Sequence, residues 1–192
     1  MKLREILESF NTKPEVQWRR DGDETWGFFK LDAEPYAVCI KELDMSRFKL
    51  TKSLKELGSS GVVTVIFGNI TEKGTFSTMA RGKETNGIRV ISAVLHTLDE
   101  YVTKSSTGVV IFAAKKRDGF YESRASLYGT LCTTFAKRMG FSFKSFKDAD
   151  GTYYITIRDD LPLTKDDIAF IENEIVGTLS FPEKLKQSKP TK

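Results

Sequence analysis

The strongest pattern along the chain runs from Ile88 to Thr103, where Ile88, Ile91, Leu95, Leu98 and Val102 recur at three- and four-residue spacing. That spacing gathers them on one face of a helix. A second helix is predicted over Glu122 to Met139, with Leu127, Leu131 and Phe135 along one side and Gly140 as its stop. Between these helices, Thr107 to Ala114 is an apolar run of strand length. Val62 to Phe67 is another, continuous enough to be buried on both faces. Val16 to Arg20, Thr25 to Leu31 and Tyr36 to Leu43 are shorter strand-like segments parted by turn residues, which predicts an antiparallel meander. Thr75 to Ala80 reads as a hairpin partner of Val62 to Phe67. Phe141 to Phe146 and Thr152 to Ile157 read as a hairpin across Asp148 to Gly151. Short helices are expected over Lys2 to Phe10 and Asp166 to Val176, the latter started by Thr164. Ser46 to Gly61 carries only a weak amphipathic turn or helix, with Leu50, Leu54 and Leu57.

The order is therefore a helix, several antiparallel strands, and then strand, helix, strand, helix, strand, strand. A helix between Thr75–Ala80 and Thr107–Ala114 implies a crossover and a parallel relation between those two strands. The expected fold is α/β, a twisted, mostly antiparallel mixed sheet with helices on both faces. No internal repeat is visible. One domain over 1–180 is expected, with a basic, flexible tail over 181–192.

Composition narrows this reading. Forty per cent of the residues are hydrophobic and 14 are Phe, enough for a core without covalent staples. The net charge of +4 comes from 30 basic and 26 acidic residues, and part of the excess lies in the tail. This is not the profile of a dedicated nucleic-acid binder. Cys39 and Cys132 each sit in an apolar stretch and are expected as buried free thiols. The segment from Met1 to Phe10 is charged and amphipathic, unlike a secretion signal, and no apolar run reaches the length of a membrane span. A cytoplasmic protein is expected.

Two segments carry a family likeness. One is the loop Arg81-Gly82-Lys83-Glu84-Thr85-Asn86-Gly87 running into the helix at Ile88. The other is Glu122-Ser123-Arg124-Ala125-Ser126-Leu127-Tyr128 followed by Met139-Gly140-Phe141. With the order of elements, they resemble the GNAT (Gcn5-related N-acetyltransferase) family, whose core is a meander, a pyrophosphate-cradling loop, a helix, a strand, a second helix and a hairpin. The segment from Asn86 to Val94 and the pair Tyr153-Tyr154 make the chain similar to small GNAT-like proteins of tailed bacteriophages, which implies the host cytoplasm as its location.

The resemblance implies acetyl-CoA as cofactor, held by Arg81, Gly82, Lys83, Asn86, Gly87, Ile88 and Arg89. A loop of small residues entering a helix N-terminus offers backbone N–H groups and a positive dipole end to phosphates, and Arg81 and Lys83 add charge. Arg89 stands where the family pattern carries a small residue, so the same segment also reads as an ordinary loop. Tyr128 aligns with a tyrosine that gives a proton to the leaving thiolate in this family. Its other reading is a core residue beside Leu127 and Leu131.

No general base stands out on Thr75 to Ala80, and Glu84 and Glu122 are candidates by proximity only. His96, off the apolar stripe of its helix, is expected at a boundary or surface. One histidine and two separated cysteines do not make a zinc site. Lys115, Lys116, Arg117, Lys137, Arg138, Lys144 and Lys147 are either a positive patch for CoA or nucleic-acid phosphates or a solvated face. Three functions remain open at this level: an N-acyltransferase on an unidentified amine, an inactive GNAT-like protein that binds a host or virion protein, and a nucleic-acid-binding module.

Overall fold

The computed structural model describes residues 13–56, 61–71, 76–77, 85–115, 121–147 and 151–175. In chain order these form β1 (Gln17–Asp21), β2 (Glu24–Leu31), β3 (Glu34–Glu42), a 3-10 turn (Met45–Arg47), α1 (Lys52–Glu56), β4 (Val62–Ile70) and β5 (Phe76–Ser77). There follow α2 (Thr85–Lys104), β6 (Val109–Lys115), α3 (Tyr121–Met139), β7 (Phe141–Lys147), β8 (Gly151–Arg158) and α4 (Lys165–Phe170), which runs on as a π turn (Ile171–Ile175). The helix expected over Lys2 to Phe10 and the tail over 181–192 lie outside the described residues.

All strands join one sheet in the order β1-β2-β3-β4-β6-β8-β7, with β5 paired to the end of β4. Of these pairings only β4 with β6 is parallel, from Val62↔Val109 to Val65↔Phe112. This corrects one expectation, that the parallel partner of Thr107–Ala114 would be Thr75–Ala80. The partner is β4. The described β5 is two residues long and antiparallel to β4, at Asn69↔Ser77 and Ile70↔Phe76. The reason is burial: Val62 to Phe67 are all under 9% exposed, and such a run belongs at the centre of a sheet. With that change, the order of elements is the one the family resemblance implies.

Strand alternation sends Val38, Ile40, Val63, Val65, Phe67, Val110 and Phe112 to one face. There they pack against Ile91, Val94, Leu95 and Leu98 of α2 and Leu131, Cys132 and Phe135 of α3. Helices cover both faces as expected, but the two long ones share this first face. The second face carries two apolar clusters. In one, Val62, Val109, Ile111, Ile155 and Ile157 pack against Met45, Leu54, Ile171 and Ile175. In the other, Trp26, Ala37, Cys39 and Ile66 pack with Phe76 of β5.

The two buried free thiols therefore lie on opposite faces of the sheet, Cys39 on the second and Cys132 on the first. Burial raises the pKa of both. α2 sits close on β2, where Gly27 leaves room. A Cβ there would lie 2.8 Å from Thr97 Cγ2 and 3.1 Å from Trp18 and Val16.

Several local signals act as the sequence suggests. Gly140 adopts φ +69° just after α3, the left-handed stop that glycine takes without strain. The Thr164 hydroxyl accepts from the Asp167 backbone N–H at 3.2 Å, and the Asp167 carboxylate accepts from the Thr164 backbone at 2.8 Å, a complete capping box. α2 departs from expectation at its start. It begins at Thr85, so Thr85, Asn86 and Gly87 are helical residues rather than loop. Among the described residues, no helix is long and apolar enough to cross a membrane.

Candidate functional site

The parallel ladder between β4 and β6 stops at Val65↔Phe112 although both strands continue. β4 goes on to Ile70 and keeps its pairing with β3 as far as Asn69↔Tyr36. β6 goes on to Lys115 and keeps its pairing with β8. The sheet is thus continuous on both flanks and parted in the middle, at the carboxyl ends of its two parallel strands. Carboxyl ends of parallel strands are where ligands enter open α/β sheets.

β5 closes the far end of the parting by pairing with Asn69 and Ile70. Between these points Ile66, Phe67 and Gly68 have no ladder partner on the β6 side among the described residues. All three are buried. Buried backbone N–H and C=O groups are paired in nearly every folded protein. Residues 78–80, which follow β5 in the chain, lie outside the described residues.

Tyr128 lies under the parting. α3 brings its ring to 5.1 Å from Phe67 of β4 and 6.2 Å from Phe112 of β6. Tyr154 of β8 meets it edge-on at 6.3 Å. The Tyr154 hydroxyl donates to the Ala125 carbonyl at 2.5 Å, which anchors α3 to β8 beside Tyr128. Tyr128 is only 3% exposed. The ring therefore fills the first-face side of the gap and joins the two strands through aromatic contact.

Of the expected cofactor residues, Arg81, Gly82 and Lys83 lie outside the described residues, as does Glu84. Asn86, Gly87 and Ile88 form the first turn of α2, whose backbone N–H groups carry positive partial charge. Arg89 follows, and its guanidinium forms an ion pair with Asp32 in the β2–β3 turn. Asp32 and Ala33 both take positive φ, +50° and +69°, a two-residue turn in a conformation glycine would prefer. Next to it the Tyr36 hydroxyl donates to Glu34 Oε2 at 2.9 Å. Burial, followed by that bond, pushes the Tyr36 phenol up to about 12. Glu122 is in the first turn of α3.

The remaining candidates are spread out. His96 is half-buried on α2, a boundary position as expected. Beside it, Asp99 takes an ion pair at 2.6 Å from Arg138 of α3, while its other oxygen is buried without a partner among the described residues. Burial raises the Asp99 carboxyl against the pull of Arg138. Lys144 of β7 faces Glu172 at 3.7 Å. Two cations of the supposed patch are therefore paired with acids in separate places. Sequence reasoning missed Phe67 and Phe112 as the walls of the parting, and Asp32 as the partner of Arg89. The available signal was the long apolar run Val62 to Phe67, which marks a central strand but not where its ladder stops.

No protein-family model matches the chain, and no curated protein matches it. Among solved structures it is similar to the aminoglycoside acetyltransferase AAC(6')-Ib. Against the complex with ribostamycin and coenzyme A, the TM-score is 0.36 at 11% identity, covering 76% of this chain and 70% of that one. Against the complex with coenzyme A and kanamycin, the TM-score is 0.36 at 13% identity, covering 79% and 71%. Overlaps this loose do not assign an activity.

Proposed function

We propose that the protein is a GNAT-like N-acyltransferase that uses acetyl-CoA to acylate an amine. The observation that carries this reading is the parting of β4 from β6 at the carboxyl ends of the parallel pair, with Tyr128 packed against Phe67 and Phe112 beneath it. The residues present fit the group in two ways. The parting of β4 from β6 offers the amide-bearing arm of CoA a place at the carboxyl ends of the parallel strands. The first turn of α2, at Asn86, Gly87 and Ile88, suits its phosphates, with Arg81, Gly82, Lys83 and Arg89 as further holders.

Acetyl-CoA supplies the acyl group as a thioester. Tyr128 places a phenol beneath the parting, the group that would protonate a leaving thiolate. Phe67, Phe112 and Tyr154 exclude water around that phenol and fix its ring. Asp32 orients Arg89 at the N-terminal end of α2.

Calorimetric titration with acetyl-CoA tests this. The wild-type protein is expected to bind with a dissociation constant on the order of micromolar, and an Arg81→Ala, Arg89→Ala double variant at least about tenfold more weakly. No saturable heat at about millimolar acetyl-CoA would sink the reading.

One observation favours a second reading. Tyr128 is almost fully enclosed by aromatic rings, as a packing residue would be. In that case the chain is an inactive GNAT-like protein that binds a host or virion protein, in line with the phage proteins its sequence resembles. Pairing of Arg138 and Lys144 with acids leaves the nucleic-acid reading with the least support.

A further inference from the structure

The second face of the sheet has a concavity of about 370 Å³, lined by Glu15, Gln17, Phe28, Lys30, Pro35 and Ile70 together with parts of Phe29 and Tyr36. Strand alternation explains its composition. Trp26 lies on the second face, so Phe28 and Lys30 of β2 share that face. Gln17 pairs with Phe28 across β1 and β2, so Gln17 points the same way. Glu15, two residues before β1, lines the same concavity as Lys30. Ile70 is on the same face as Ile66, four residues earlier in β4.

The result is an apolar floor of Phe28, Pro35 and Ile70 with one carboxylate and one ammonium at its rim. The Phe28 ring is already fixed, stacked on Trp26 at 6.2 Å with 16° between planes. Among the described residues, neither Glu15 nor Lys30 has an ion-pair partner. Both are exposed.

We propose that this pocket binds a free α-amino acid with an apolar side chain. Glu15 accepts hydrogen bonds from the ammonium, Lys30 donates to the carboxylate, and the side chain lies on Phe28, Pro35 and Ile70. The charges that line the pocket carry the assignment. One carboxylate and one ammonium on a single pocket suit a ligand whose own opposite charges are adjacent, as the ammonium and carboxylate of an α-amino acid are. A ligand with one charge would leave the other rim group unmatched. A purely apolar ligand would leave both rim charges unused. Gln17, on the same wall, adds an amide that can donate to the carboxylate or accept from the ammonium. The pocket shares Ile70 with the far end of the parting, but its charged groups are Glu15, before β1, and Lys30, on β2, and the proposal stands whichever reading of that parting holds.

Calorimetry without acetyl-CoA is the test, using L-leucine and L-phenylalanine as probes. Phenethylamine, which lacks the carboxylate, and 3-phenylpropionate, which lacks the amine, are the controls. At least one amino acid is expected to bind saturably with a dissociation constant at or below about 1 mM. Phenethylamine and 3-phenylpropionate are each expected to bind at least about tenfold more weakly. Glu15→Gln and Lys30→Met are each expected to lower amino-acid affinity at least about tenfold. Both residues are exposed, so unchanged thermal melts of the two variants will separate lost binding from lost folding. Absence of saturable binding up to about 10 mM, as when Glu15 and Lys30 satisfy only each other, would overturn the proposal. So would binding that the two substitutions leave unchanged.

Discussion

Gly27 illustrates how much a single position carries. It lies on β2 under the middle of α2, where Thr97 is fully buried and its hydroxyl donates to the Ala93 carbonyl at 2.8 Å. Thr97 has no free space to retreat into, because Trp18 and Val16 close the other sides of the glycine. Gly27→Ala is therefore expected to lift α2 from β2 and cost about 1–3 kcal/mol, read from urea unfolding. An unchanged midpoint would mean that α2 tolerates a wider spacing. The same close approach explains why Trp18 can reach from β1 to donate to Glu100 Oε1 of α2 at 3.1 Å. Gly27 could be read in the sequence as a glycine within a strand, but not as the seat of a helix. Its meaning depends on Thr97, seventy residues further on.

Thr51 joins two elements that are far apart in sequence. Its hydroxyl accepts from the Leu54 backbone at 3.3 Å, which caps α1, and donates to Asp167 Oδ1 in the first turn of α4. Asp167 also holds the capping box with Thr164. These bonds, Thr51 first, hold the Asp167 carboxyl below its ordinary pKa. A carboxyl lowered in the folded state stabilises the fold above its unfolded pKa and loses that contribution as pH falls through the folded value. Thr51→Val removes the donor while keeping the shape. It is expected to cost about 1 kcal/mol at neutral pH, with the difference from wild type shrinking in acid as Asp167 protonates. Urea melts at neutral pH and near pH 3 would check both parts. A loss that is equal at the two pH values would assign the effect to the α1 cap alone. The sequence announced the Thr164 cap through its local pattern, whereas the Thr51 bond joins residues 116 apart and had no local sign.

Across the whole molecule, two long helices on the first face hold Tyr128 at the point where the sheet parts. Tyr128→Phe tests what that placement is for. It keeps the ring contacts with Phe67, Phe112 and Tyr154 and removes only the hydroxyl. If the phenol protonates a leaving thiolate, turnover with an acylatable amine is expected to fall about 10²-fold or more, with little change in acetyl-CoA affinity. Unchanged turnover would make Tyr128 a packing residue. Alternation and helical spacing made most of this architecture legible beforehand. The meander, both long helices and the last hairpin lie within a few residues of their expected places. The identity of the parallel pair was not legible, because Val62–Phe67 and Thr75–Ala80 both read as strands and only their burial in the assembled sheet ranks them.

The sequence by itself determined the mixed α/β class, the two long helices with Gly140 as a stop, the Thr164 cap and the buried thiols. Each depends on a period, a cap or a stretch of a few residues, and that information is local. The tertiary structure alone decided that β4 partners β6 for only four residue pairs, that Tyr128 sits under the gap, that Arg89 turns to Asp32, and that Glu15 and Lys30 share a pocket rim. These relations join positions separated by dozens of residues or set by strand register. Chain closure and core packing fix them together, and no window of the sequence contains both partners of a distant pair.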